Sequence, residues 1–217
     1  MHILKIALVG ATGFIGSAIL QEALSRGHTV TAMARDPGKI IIQHNKLHIL
    51  PIDVLDTVAL TTVLIDHDVI ISAWNPGWGT ANLYEQLLEG SISIQRAAKR
   101  AAVPRLLVVG HAGSLYIGPS LQWVDAPEYP ASWRPASAAS RDYLNLLQQE
   151  SQLDWTYITP PLDLVPGTRT GQYNIGTHSP VYNAHGKSTI SVQDLAVAVL
   201  DEAESPRHSR RRFTVAY

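Results

Sequence analysis

The sequence predicts an α/β domain with a doubly wound parallel sheet, and three observations predict it. Short apolar runs rich in branched residues recur along the chain, over 6–9, 68–73, 105–109 and 154–159. Runs of that length with no polar alternation read as strands buried on both faces. Between them lie longer stretches with apolar residues at helical spacing, the crossovers that parallel strands require. The chain also has 217 residues, 46% of them hydrophobic, which suits one core of this kind.

The first element organises the others. A strand over 6–9 is stopped by Gly10, and the turn reads G-A-T-G-F-I-G with Gly10, Gly13 and Gly16. A helix follows, with Ile15, Ala18, Ile19, Ala23 and Leu24 on one face and Gly27 as its stop, then a second strand over 28–34. Strand, glycine turn, helix, strand is the Rossmann-type unit that seats a dinucleotide pyrophosphate on a helix N-terminus. Gly10 permits the tight turn, Gly13 admits phosphate to the backbone N–H groups, and Gly16 lets the helix pack closely. Thr12, Phe14 and Ile15 complete the expected cradle. The spacing is GxxGxxG rather than GxGxxG, and a plain strand-to-helix turn is the other reading. GATGFIG resembles the fingerprint of the extended and atypical short-chain dehydrogenase/reductase superfamily.

After the second strand, Asp36 before Pro37 reads as a helix N-cap, which leaves Arg35 at the strand end to face a ligand. An acidic residue here accepts from the ribose hydroxyl of NAD, whereas arginine accommodates the extra phosphate of NADP. Arg35, with Lys39 adding charge, therefore predicts NADP(H) in preference to NAD(H); an ordinary solvated arginine is the alternative. A third strand over 47–52 ends at Asp53, and Asp56 reads as the cap of a short helix. The resemblance implies that Asp53 and Val54 border the adenine, although either aspartate also suits a simple turn.

The fourth strand, 68–73, empties into Trp74-Asn75-Pro76-Gly77-Trp78-Gly79. Carboxyl ends of parallel strands border the ligand crevice, so Ala73, Trp74 and Asn75 are expected beside the ribose and nicotinamide. Trp78 is expected to wall a flat substrate ring; packing beneath a loop explains the tryptophans equally well. A long helix over 80–102 carries Leu83, Leu87, Ile94, Ala97 and Ala98 on one face, and its other face suits a homodimer. The fifth strand, 105–109, runs into Gly110-His111-Ala112-Gly113-Ser114. Short-chain dehydrogenases place their catalytic serine in this loop, and Ser114 stands where it would be.

The usual Tyr-x-x-x-Lys partner is missing from the next helix, over 135–151. Tyr143 is followed four residues on by Leu147, and Ser137 and Arg141 align best with the missing pair. Without that acid, alcohol chemistry loses its proton source. A delocalised acceptor such as a flavin, quinone or tetrapyrrole needs no strong protein acid, and solvent or His111 can supply the proton. His111 reads either as a proton donor or substrate contact or as a structural histidine.

Residues 117–133 are rich in proline and aromatics and read as an irregular substrate-side loop containing Trp123. The sixth strand, 154–159, ends at Pro160-Pro161-Leu162. In the resembled family this turn passes near the nicotinamide, which places Pro160 at the cofactor and Pro161 at the substrate. Residues 160–190 form an expected small C-terminal substrate-side lobe, with a β excursion over 166–186. His178 and His185 there make a poor metal site. Ser191 caps a helix through Glu204, and a basic triplet, Arg210-Arg211-Arg212, reads as a solvated edge before a closing strand over 213–216.

Across the chain, GATGFIG, VVGHAGSL, LDWTYITP, GTRTGQY, ISVQDLAVAVLDE and RRFTVAY together resemble the atypical short-chain dehydrogenases called NADH-flavin reductases, relatives of flavin/biliverdin reductase. The resemblance implies an NAD(P)H-dependent reductase of a flat acceptor. The alternatives are an NmrA-like redox sensor without chemistry and an epimerase- or dehydratase-like enzyme. A formal net charge of −1 argues against nucleic acid as partner. The absence of cysteine excludes disulfides and thiolate chemistry. No apolar run reaches membrane-span length, and the expected location is the cytoplasm.

Overall fold

The computed structural model describes residues 2–217. Its main sheet has eight strands in the order β3-β2-β1-β4-β5-β6-β10-β8. These are β1 (Lys5–Val9), β2 (Thr29–Ala34), β3 (Leu47–Pro51), β4 (Val69–Ser72), β5 (Arg105–Val109), β6 (Asp154–Thr159), β8 (Asn174–Gly176) and β10 (Arg211–Ala216). All pairings are parallel except that of β10 with β8. The strand order reverses between β1 and β4, which creates the crevice where such sheets bind ligands.

Two-residue alternation along the buried strands feeds two helix layers. Ile6 and Leu8 of β1 pack with α1 (Phe14–Ser25) and α5 (Val192–Glu204) through Ile19, Leu195 and Val199. Ala7 and Val9 face the opposite layer, α2 (Thr57–Leu64), α3 (Leu83–Arg100) and α4 (Arg134–Leu147), through Leu60, Ile94 and Leu144. Helix ends follow the local chemistry. Asp56 Oδ1 accepts from Ala59 N at 3.0 Å, Ser191 Oγ accepts from Asp194 N at 3.0 Å, and Gly27 adopts φ +81° past α1. Helix α3 begins at Leu83, later than its apolar spacing predicts, because Asn82 takes φ +55° and breaks the run.

The C-terminal segment differs from expectation in placement. Short strands β7 (Asp163–Val165) and β9 (Thr189–Ser191) pair as a two-stranded sheet, while β8 extends the main sheet beyond β10. Buried charge holds this region. Arg26 donates to Glu22 at 2.7 Å, Asp201 at 2.7 Å and Glu204 at 2.9 Å, and Arg169 donates to Glu22 at 2.7 Å. Asp194 accepts from Thr170 N at 2.8 Å, Gly171 N at 2.7 Å and Tyr217 Oη at 2.6 Å.

The β1–α1 turn is the tightest point. A Cβ on Gly16 would stand 2.0 Å from the Gly10 carbonyl oxygen, and one on Gly10, at φ +82°, would stand 2.4 Å from Ala73 O. Gly16→Ala should therefore cost about 1–3 kcal/mol by overpacking. Gly79→Ala, whose Cβ meets nothing within 4 Å, should be close to neutral. Urea midpoints of the two variants check this, and equal midpoints would refute the contact.

Candidate functional site

A cleft of about 880 Å³ opens at the carboxyl ends of β1, β2, β4, β5 and β6. Gly10, Thr12, Gly13, Phe14 and Ile15 line its first wall, while Gly16 is buried beneath the turn. Helix α1 starts at this wall with no side-chain cap and no acid in its first turn, so its positive end is uncompensated by the chain. A Cβ on Gly13 would meet only Gly10 O, at 3.4 Å, and would take up cleft volume instead. This turn fits a dinucleotide pyrophosphate: unspent N–H donors, a favourable dipole and no side chain in the way.

At the β2 end, Arg35, Asp36 and Lys39 line the cleft. Arg35 lies over the Trp74 ring at 5.8 Å and donates to Pro76 O at 2.7 Å, which stretches its guanidinium along the rim. Asp36 is occupied as a cap, accepting from Gly38 N at 3.2 Å. Val54 and Ile52 line the cleft; Asp53 is exposed and accepts from Leu55 N at 3.0 Å, which makes it a turn residue here. From β4 come Ala73, Trp74 and Asn75, and Trp74 Nε1 is buried with no partner among the described residues.

At the β5 end the walls are aromatic and neutral. Trp78, 58% exposed, stands 5.8 Å from the His111 ring and 6.5 Å from Trp133. Trp123 meets Tyr129 edge-on at 4.9 Å. His111 Nδ1 lies 3.3 Å from Ser137 Oγ, and Ser137 is in turn hydrogen-bonded to Tyr129 Oη. Burial pushes the His111 imidazole down to about 4 and the Tyr129 phenol up. Both are therefore neutral near pH 7, and His111 is not a cationic acid. Pro160 and Pro161 close the cleft from β6.

Ser114 is placed elsewhere. It is fully buried, donates to His111 O at 3.1 Å, and its carbonyl accepts from Arg212 at 2.8 Å. No surface of it reaches the cleft, because the loop folds into a single 3-10 turn that carries the hydroxyl inward. Arg212, expected at a solvated edge, is the buried partner, and it also donates to His178 Nδ1 at 2.8 Å. Tyr143 sits in the core, and Arg141 pairs with Asp125 at 2.9 Å, so neither replaces the missing acid. Ser137, Tyr129 and Trp133 take the places that sequence reasoning left open. Ser137 had a signal, its position in the helix register; Tyr129 had a weaker one, its place among the aromatics of the irregular stretch 117–133.

The lowered His111 value has a testable sign. Unfolded, the ring takes a proton below about 6.5; folded, only below about 4. The unfolded chain binds more protons between those values, so stability falls as pH drops through that window. His111→Gln should show a shallower loss of urea midpoint between about pH 7 and about pH 5 than the unmodified chain. Parallel slopes would refute the burial of this ring.

Among the described residues, no helix is long and apolar enough to cross a membrane. The profile of the NAD(P)H-binding family matches residues 10–206. The protein YwnB of Bacillus subtilis is 38% identical over 215 residues, 98% of each chain. A solved structure from Bacteroides thetaiotaomicron, described as a "putative epimerase", is 40% identical with a TM-score of 0.93, covering 100% of this chain and 98% of that one. Another from Streptococcus pneumoniae, described as a "putative NADH-flavin reductase", is 32% identical with a TM-score of 0.83, covering 98% and 99%. The likeness runs from the glycine turn to the last helix, and the fold is that of the oxidoreductase-type Rossmann proteins. The chain belongs to the NAD(P)H-binding family.

Proposed function

We propose that this protein is an NAD(P)H-dependent reductase of a flat conjugated acceptor, most simply a free flavin, and that it prefers NADPH. One observation carries the reading: Trp74, Trp78 and Trp123 all line the cleft that holds the glycine turn. A redox sensor needs the cofactor site but no second, aromatic-walled space beside it. The similarity to a structure described as an NADH-flavin reductase supports the same acceptor class.

When bound, the nicotinamide would supply a hydride. The residues of this chain do the rest. The turn from Gly10 to Ile15 holds the pyrophosphate, and Arg35, with Lys39 beside it, meets the additional ribose phosphate. Trp78, Trp123 and Trp133 offer apolar faces that orient a planar ring and exclude water from it. The residues lining the cleft after β5 carry no charge, and Asp163, beyond Pro161, is an acid in the neighbouring lining, so the space suits an uncharged ring system. Reduction of such a ring spreads the added electrons over the conjugated system, which removes the need for a Tyr-x-x-x-Lys acid.

NADPH and NADH oxidation, followed by nicotinamide absorbance with and without FMN or riboflavin, tests both halves. Flavin-stimulated oxidation should favour NADPH. Loss of the phosphate contact in Arg35→Ala should raise KM for NADPH about tenfold or more and leave KM for NADH little changed. Trp78→Ala should raise KM for riboflavin about threefold to tenfold without changing NADPH binding. Tight NADPH binding with no flavin-stimulated oxidation would overturn the acceptor assignment.

A further inference from the structure

The β5 end of the cleft contains a hydrogen-bonded chain: Tyr129 Oη to Ser137 Oγ, and Ser137 Oγ to His111 Nδ1 at 3.3 Å. Tyr129 is 5% exposed and Ser137 1% exposed, so unmade hydrogen bonds at their hydroxyls are costly. His111 Nε2 has no partner among the described residues, and the ring lines the cleft.

Satisfying each proton fixes the direction of the chain. If His111 Nδ1 carried the proton, it would donate to Ser137, Ser137 would donate to Tyr129, and the phenol proton would need another acceptor. Tyr129 Oη has none among the described residues. In the opposite direction Tyr129 donates to Ser137, Ser137 donates to Nδ1, and every buried donor is used. Nδ1 is then the bare nitrogen, and the ring proton sits on Nε2.

We infer that Tyr129 and Ser137 hold His111 as the neutral Nε2–H tautomer, and that this N–H donates a hydrogen bond to an oxygen or nitrogen of the acceptor. The inference rests on the reductase reading for its acceptor, and on geometry alone for its tautomer. It narrows the substrate class to flat rings that carry a carbonyl oxygen or a ring nitrogen at the reacting edge. Hydride arrival raises the electron density on that atom, and a fixed N–H dipole in a dry pocket stabilises the charge as it develops. A neutral imidazole held this way is an electrophile rather than an acid; solvent supplies the proton afterwards. Enclosure favours the neutral ring, in keeping with the role. Tyr129 and Ser137 touch the acceptor only through His111 and are positioning residues.

Long-range proton–nitrogen NMR of the His111 ring, assigned with His111→Gln, tests the tautomer without turnover. The unmodified protein near neutral pH should show the Nε2–H pattern alone. Tyr129→Phe and Ser137→Ala should each give a mixture of tautomers. Each should also lower kcat with riboflavin about tenfold while KM for NADPH holds. Riboflavin added to the NADP+-loaded protein should shift the Nε2–H resonance. An Nδ1–H pattern in the unmodified protein, or unchanged tautomers in both variants, would overturn the inference. So would riboflavin turnover without any riboflavin-induced shift of Nε2–H. Absence of riboflavin turnover with the Nε2–H pattern intact would instead overturn the reductase reading and leave the tautomer standing.

Discussion

Gly10 and Gly16 carry the constraint on which the cleft depends, because three backbones meet there with no room for a side chain. The Gly10 carbonyl supports Gly16 from below, and the Ala73 carbonyl at the end of β4 stands against the Gly10 Cα. That contact sets how far α1 can advance over β1, and so where its uncapped N-terminus opens. It also joins the first and fourth strands at the point where strand order reverses. The wall formed by the glycine turn and the wall that begins at Ala73 are thus positioned by one packing event. A displacement there would move both.

The opposite side of the molecule is held by charge rather than close contact. Arg26 is shared among Glu22, Asp201 and Glu204, and Glu22 is shared again with Arg169. The pairs hold Glu22 below its usual carboxylate range against the opposing effect of burial, because two guanidiniums stand beside it. Arg26 and Glu22 are buried, so breaking their pair leaves an uncompensated charge, while Asp201 and Arg169 meet them from half-exposed positions and add less. Their effect is positional: α1, α5 and the segment bearing Arg169 cannot slide independently. Because the glycine turn leads directly into α1, the network fixes that turn from behind.

These two constraints differ in how much of them the sequence exposes. The glycine turn, the Gly27 stop, the Asp36, Asp56 and Ser191 caps and the first six strands were all legible, because each depends on neighbours a few residues away. Ser114 was not. Its position in the loop is local, but the direction of its hydroxyl is set by the 3-10 turn and by Arg212, 98 residues distant. The same contact explains why a basic triplet that looked solvated contributes a buried arginine. Tyr129 was only partly legible, as one of several aromatics in the 117–133 loop, for a related reason. Nothing in an irregular segment announces which side chain will turn inward, and its partner Ser137 lies on a different element.

The charge asymmetry of the cleft follows from that arrangement and limits what chemistry it can support. Its β2 end carries charge, Arg35 and Lys39 together with Asp36, which pairs with Lys39 at 3.7 Å. Its β5 end carries indoles, a phenol, a hydroxyl and an imidazole that burial keeps neutral. A short-chain dehydrogenase of the usual kind spends a lysine at that end to make a tyrosine acidic. Here Tyr129 is beside Arg134, at 5.6 Å from its ring, yet burial outweighs that cation and the phenol becomes a weaker acid. A site built this way can stabilise charge by fixed dipoles but has no readily released proton. Acceptors that delocalise the incoming electron pair suit it, and simple ketones, whose alkoxides demand immediate protonation, do not.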